Sequence, residues 1–120
     1  MDIYQQNILD YYKHPRHRGE LTGATYQSGV TNPSCGDSVQ VFLQVENNRV
    51  IEARWTGEGC VLSQASADML AEHVVGKLTS ELGAIGSEVV VKLLGIEPSP
   101  NRLKCALLPL EALQQAATRH

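Results

Sequence analysis

Little in this chain points to an extended or highly charged partner. Ten Lys and Arg stand against thirteen Asp and Glu, a net charge of −3, so the basic excess of a general nucleic-acid binder is missing. No apolar run approaches the ~20 residues that cross a bilayer. The N-terminal MDIYQQNILDYYKH contains acidic residues and lacks the layout of a secretory signal, so a cytoplasmic setting is expected. There is no repeat, low-complexity tract or linker, and 120 residues are expected to form one domain, residues 1–120. With 42% hydrophobic and 19% charged residues the composition is that of an ordinary globular chain, able to bury a core without covalent staples. Cysteine is scarce and odd in number: three, with no CxxC pair. Full pairing within the chain is excluded, and a reducing compartment disfavours disulfides. The thiols are therefore buried filler, metal ligands or reactive groups.

What is present reads as alternating helix and strand. Residues 2–13 have a helical apolar stripe (Ile3, Ile8, Leu9, Tyr12) with Asp2 as cap, ended by HPRHRG, where Pro15 stops the helix and Gly19 permits a turn. Gly23 to Thr31 reads as extended. In residues 38–46 the pattern alternates strictly, with Val39, Val41, Leu43 and Val45 on one face; Asn47-Asn48 signals a turn; residues 50–56 form the return strand, with Ile51, Ala53 and Trp55 on one face. After GEG the period turns helical over 61–75, with Leu62, Ala65, Met69 and Leu70 apolar and Gly76 as a stop. Thr79 or Ser80 is placed to cap a short turn, and Ser87 a helix ending at Gly95, although Val89-Val90-Val91 also suits a strand. Ser99 and Pro100 open a final helix in which Leu103, Leu107 and Leu110 share a face and Pro109 is expected to produce a kink. The predicted class is α+β, one antiparallel sheet with four to five helices.

The hairpin brings two of the cysteines together. Cys35 precedes the first strand and Cys60 follows the second. A two-residue turn sets them opposite one another, and a turn longer by one, which aligns the apolar faces better, moves the pairing by one residue. Either register leaves the thiols near the ~5 Å spacing of cross-strand neighbours. Cys35 lies in the Pro/Gly turn NPSCGD, with the Asp37 carboxylate two residues on. Cys60 enters a helix, whose N-terminus favours thiolate, and Cys105 lies in RLKC between Arg102 and Lys104. Three thiolates and a carboxylate form a four-ligand set suited to zinc or an iron–sulfur centre, and too soft for magnesium or calcium. The carboxylate is the weaker, more exchangeable member of that set. Spacing alone leaves metal ligation and buried structural cysteine as alternatives.

The segments YQQNILDYYKHPRHRG, NPSCGD, GEGCVLSQASADML and RLKCALLPLEAL, in this order and along nearly the whole chain, resemble the IscU/SufU/NifU family of iron–sulfur cluster assembly scaffolds. The resemblance implies an α+β domain with a three-stranded antiparallel sheet. It implies that Cys35, Cys60 and Cys105 accept sulfur and, with Asp37, hold iron, zinc or a transient cluster, expected to be of the 2Fe-2S kind. The implied partners are a PLP-dependent cysteine desulfurase and downstream iron–sulfur acceptor or carrier proteins. Two branches separate here. IscU-type proteins have His before the last cysteine and an LPPVK-type chaperone segment; this chain has Lys104 and IEPSPN instead. NPSCGD, GEGC and the Lys-Cys pair look more like SufU, while the short stretch between the second and third cysteines is IscU-like. The leading expectation is a scaffold and sulfur acceptor. The alternative is a SufU-type zinc-dependent sulfurtransferase, an enzyme that relays sulfur without hosting a cluster.

Other residues have plainer readings. Lys104 is a solvated lysine or a contact for the thiolate or the desulfurase. His14 and His17 belong to a basic surface turn with Lys13, Arg16 and Arg18, His73 is partly buried packing, and His120 is terminal. Tyr4, Tyr11 and Tyr12 are expected in the core rather than on a docking surface.

Overall fold

The computed structural model describes residues 2–34 and 36–118. Its sheet has three antiparallel strands in the order β1 (Tyr26–Asn32), β2 (Asp37–Glu46) and β3 (Arg49–Glu58). Around it lie helices α1 (Ile3–Lys13), α2 (Val61–Val74), α3 (Thr79–Leu82), α4 (Ser87–Leu94) and α5 (Pro100–Thr118). This is the expected α+β class, with the upper of the two predicted helix counts among the described residues.

The β2–β3 turn has positive φ at both Asn47 and Asn48 (53° and 62°), the two-residue hairpin geometry that Asn tolerates. Both predicted registers then occur in the one hairpin. Next to the turn Val45 faces Val50, but Gln44 faces Glu52, and the shifted register continues to Ser38 and Glu58. Ile51 is the extra residue of a β-bulge. The bulge switches which face of β3 looks inward, so Val50, Ala53 and Trp55 are all buried while Ile51 is 45% exposed. The predicted inward face was therefore wrong at Ile51. A two-residue periodicity cannot foresee a residue that interrupts it.

Helix boundaries follow local chemistry. Asp2 and Gln5 form a capping box, with the Asp2 carboxylate accepting from the Gln5 amide at 2.8 Å and the Gln5 side chain accepting from the Asp2 amide at 3.2 Å. Thr79 and Ser87 are first helical residues rather than caps; Leu78 and Gly86 hold the cap positions. Val89–Val91 are helical, and α4 ends where Gly95 turns left-handed. Pro100 opens α5, with the Leu103 amide donating to the Ser99 carbonyl. The helix runs unbroken through Pro109. One carbonyl of the preceding turn, that of Ala106, receives a buried 2.7 Å hydrogen bond from the Ser66 hydroxyl.

Ten of the fourteen residues of α2 are buried, which makes it a central helix rather than an amphipathic surface one. It packs against α1, α4, α5 and β3, while α5 lies across β1 and β2. The shared core includes Leu43, Trp55, Leu70, Val74, Leu94 and Leu113. On α5 the buried face is wider than the predicted leucine stripe: Ala106, Leu108 and Leu113 join Leu110, while Leu103 and Leu107 are only half-buried. Tyr4 (53% exposed) and Tyr12 lie at the surface, against expectation; Tyr11 packs on the core and donates to Glu72 at 2.8 Å. No helix among the described residues is long and apolar enough to cross a membrane.

Candidate metal centre

Each chemically relevant side chain sits at the end of an element or at a helix crossing. Asp37 is the first residue of β2. Just before it, the chain turns through Asn32, whose side chain accepts from the Ser34 amide at 3.0 Å, and Gly36, whose amide donates to the Asn32 carbonyl at 2.8 Å. Gly36 has φ 76°, a conformation that favours glycine. Cys60 is the N-cap of α2, where its sulfur accepts from the Ser63 amide at 3.4 Å and its carbonyl accepts from the Ser63 hydroxyl at 3.1 Å. Cys105 lies in the second turn of α5, next to the Ala106 carbonyl that Ser66 of α2 holds. The crossing of α2 and α5, latched by that bond, brings the two cysteines to the open end of the hairpin where β2 begins.

The result is a three-residue cluster. One ligand atom each from Asp37, Cys60 and Cys105 lies within 4.8 Å of the other two. Two sulfurs bound to one tetrahedral zinc stand about 3.8 Å apart, given Zn–S bonds near 2.3 Å, so a contraction of about 1 Å would close the set. Asp37 is 5% exposed, and its Oδ2 has no hydrogen-bond partner among the described residues. A buried, unpartnered carboxylate oxygen is costly unless something binds it, and a cation between two thiolates is the fitting group. The donor set and this orphaned oxygen suit zinc or iron.

Gly59 makes the close approach possible. A Cβ on it would lie 2.4 Å from Ser63 Oγ and 2.8 Å from Asp37 Cγ, so any other residue would push the carboxylate or Ser63 away. Cys60 is exposed and Cys105 half-buried, so the cluster reaches solvent through its sulfurs while its carboxylate stays inside. Cys35 lies outside the described residues. Its neighbours Ser34 and Gly36 lie between β1 and Asp37, the last residue of NPSCGD.

The other candidates separate from this cluster. Lys104 is exposed and lines a shallow pocket with Asn32, Pro33 and Glu111, while Arg102 and Cys105 line a different cavity. Among the described residues His14, His17 and His73 join no metal-binding group; His120 is outside them. His73 is half-buried, as expected, and its pKa is lowered by burial and then by Lys77.

Sequence reasoning missed Asp68. Fully buried on α2, it accepts from the Trp55 indole at 3.0 Å and from the amides of His17 and Arg16 at 2.7 and 2.9 Å. These bonds pin the HPRHR strap along the outer edge of β3, where the Gly19 amide donates to the Trp55 carbonyl and the Trp55 amide to that of His17. Arg18 crosses the Trp55 ring at 5.0 Å and donates to the Gly57 carbonyl at 3.0 Å. The available signal was a lone carboxylate in ASADML, on a helix otherwise apolar enough to be central. The importance of Gly59 and Ser63 had no signal beyond their adjacency to Cys60.

Comparison with known proteins places these features in context. The profile of the family described as NifU-like N terminal domain matches residues 3–120. A Thermotoga maritima protein named iron–sulfur cluster assembly scaffold protein IscU is 32% identical over 95% of this chain and 92% of its own length. A Bacillus subtilis protein named zinc-dependent sulfurtransferase SufU is 30% identical over 98% of this chain and 90% of its own. The crystal structure of a candidate iron–sulfur cluster assembly scaffold for the SUF system from Fervidobacterium islandicum AW-1 superposes with a TM-score of 0.83 at 25% identity, covering 94% of this chain and 95% of that one.

Proposed function

This chain belongs to the NifU-like N terminal domain family, and from that premise we propose that it is a scaffold and sulfur acceptor for iron–sulfur cluster assembly. The observation that carries the reading is the convergence of Asp37, Cys60 and Cys105 around a buried carboxylate oxygen that has no hydrogen-bond partner among the described residues. Cys35 completes the set as fourth ligand. Four protein ligands of this kind match a 2Fe-2S cluster as cargo. The partners are a PLP-dependent cysteine desulfurase, which supplies sulfur, and downstream acceptor proteins that take the cluster, in the cytoplasm.

Sulfur enters by thiol–persulfide exchange. A thiolate of this chain attacks the terminal sulfur of the desulfurase persulfide, the S–S bond breaks, and the desulfurase cysteine leaves as thiolate, with no net oxidation. Exposed Cys60 is placed to meet such a donor, and its sulfur is held by the Ser63 amide. Half-buried Cys105 and buried Asp37 are placed to keep iron once it arrives. The carboxylate, as the harder ligand, is the first to be exchanged when the cargo leaves.

A second reading, the zinc-dependent sulfurtransferase, draws support from the burial of Asp37, which suits a metal that stays. There zinc would be held by Asp37, Cys60 and Cys105 with Cys35 and would supply fixed thiolates. Anaerobic incubation with iron, cysteine and a desulfurase separates the two. A scaffold develops cluster absorption that is lost on Cys→Ser substitution at position 35, 60 or 105. A sulfurtransferase raises desulfurase turnover with zinc retained and no cluster. A chain that holds neither metal nor cluster overturns both readings.

A further inference from the structure

Beside the metal centre lies a cavity of about 710 Å³, a size that holds small organic ligands. Its lining is mostly apolar, with Ile8 and Leu9 from α1 on one side and Leu62 and Ile96 on others, yet both Cys60 and Cys105 face it. One full charge joins them. Arg102, three residues before Cys105 on α5 and so on the same side of the helix, also lines the cavity. It is exposed, and its side chain makes no hydrogen bond or ion pair with another described residue. Lys104, two residues on, lines the separate pocket beside Pro33.

These features fit one kind of occupant. Apolar walls accept a carbon skeleton, a free guanidinium accepts a carboxylate through its planar fork, and the thiols are the place where sulfur moves. The tip of a protein loop carries no obligatory carboxylate; a free amino-acid or short-peptide thiol always does. We propose that this cavity binds a low-molecular-weight thiol bearing a carboxylate, with the carboxylate on Arg102 and the sulfur toward Cys60 and Cys105, and that the bound thiol collects sulfur from this chain. The transfer rests on the sulfur-acceptor reading above. The small thiolate, its proton given to water, attacks the terminal sulfur of a persulfide on Cys60 or Cys105. The new S–S bond yields a small persulfide, the old one breaks, and the protein cysteine leaves as thiolate. No oxidant or reductant is consumed.

The test titrates S-methylglutathione, a carboxylate-bearing tripeptide without a reactive thiol, into the isotope-labelled full chain and follows backbone amide resonances. Saturable shifts are expected at Leu9, Leu62 and Ile96. Arg102→Glu weakens binding by more than about tenfold, and Arg102→Lys recovers part of it. Position 102 is exposed in the first turn of α5, and an unchanged spectrum away from the cavity checks that each variant is folded. Absence of saturation, equal binding by Arg102→Glu, or equally tight binding of an uncharged amidated peptide of the same length overturns the site. In a second arm the desulfurase loads the chain with sulfur and glutathione is added. Glutathione persulfide is expected to form, about tenfold more slowly with Arg102→Glu. The titration needs no sulfur loading, so its failure overturns the cavity site alone, whereas failure of loading overturns the sulfur-acceptor reading and the transfer step with it.

Discussion

Two side-chain carboxylates are buried among the described residues, and they are satisfied in opposite ways. Asp68 accepts three hydrogen bonds, from two backbone amides and an indole. Asp37 has an oxygen with none among the described residues. Both lie near α2, one on the helix and the other packed against the Gly59 loop that leads into it. Burying a carboxylate is unfavourable unless donors or a cation replace water. At Asp68 the fold itself provides the donors, so that residue belongs to the architecture. At Asp37 the fold leaves an acceptor open to a group from outside, which is what the proposed metal-holding role requires of it. The same side chain thus reads as strut or as ligand according to whether its hydrogen-bond capacity is already used.

The sharpest way to break the comparison is to remove each carboxylate from metal-free protein. Asp68→Ala leaves three donors without an acceptor and releases the strap, with an expected loss of about 3–5 kcal/mol in urea unfolding. Asp37→Ala takes away a buried group that has no full complement of partners, so the expected change is a gain of about 1–2 kcal/mol. In the presence of zinc the order inverts. Asp37→Ala weakens metal binding by more than about tenfold in a chelator competition, while Asp68→Ala leaves the ligand set itself intact. Equal destabilisation by the two metal-free variants would sink the distinction.

Gly59→Ala sharpens it further. The added methyl meets Ser63 Oγ and Asp37 Cγ well inside contact distance, so overpacking of about 1–3 kcal/mol is expected. The strain falls on the Asp37 side alone. The signature is weaker zinc binding with the Trp55–Asp68 contact retained, followed by tryptophan fluorescence. A blue or red shift as large as that of Asp68→Ala would mean that the two regions are one cooperative unit.

The difference also explains what was legible beforehand. Asp37 and Cys60 could be picked out because each is chemically conspicuous, in a turn or at a helix start, and because a hairpin brings its own ends together. Cys105, in the second turn of α5, has no such placement and was joined to them only through its thiol chemistry and the family resemblance. Alternation and turn chemistry gave the strands, and apolar spacing gave the helices. What stayed hidden depends on pairing across the fold. Ile51 faces outward because a bulge intervenes, and nothing in the alternation of RVIEARWT marks the extra residue. Asp68 is a strut only because Trp55 and the strap, far away in sequence, arrive with donors. Tyr4 is left at the surface although its ring lies so near Gly95 that a Cβ there would be 2.2 Å from it; the absence of a side chain at position 95 is what lets α1 settle on the end of α4.

The smallest expected effect lies five residues beyond Asp68 on the same helix. Burial, and then the positive charge of Lys77, hold the pKa of His73 below the ordinary histidine value. With the folded value depressed, the unfolded chain binds the proton more readily than the folded one. The stability His73 contributes is therefore complete above the unfolded value of about 6.5 and is lost as pH falls from there through the lower folded value. His73→Gln cannot take up the proton, so its urea midpoint is expected to fall less than that of the parent across this acid window and to match its shape above it. Because the causes of the His73 shift are burial and Lys77, with no contribution from Asp37, the same slope should persist in metal-free Asp37→Ala. An acid slope that vanishes there but survives in His73→Gln would assign the titration to the metal centre instead of to α2.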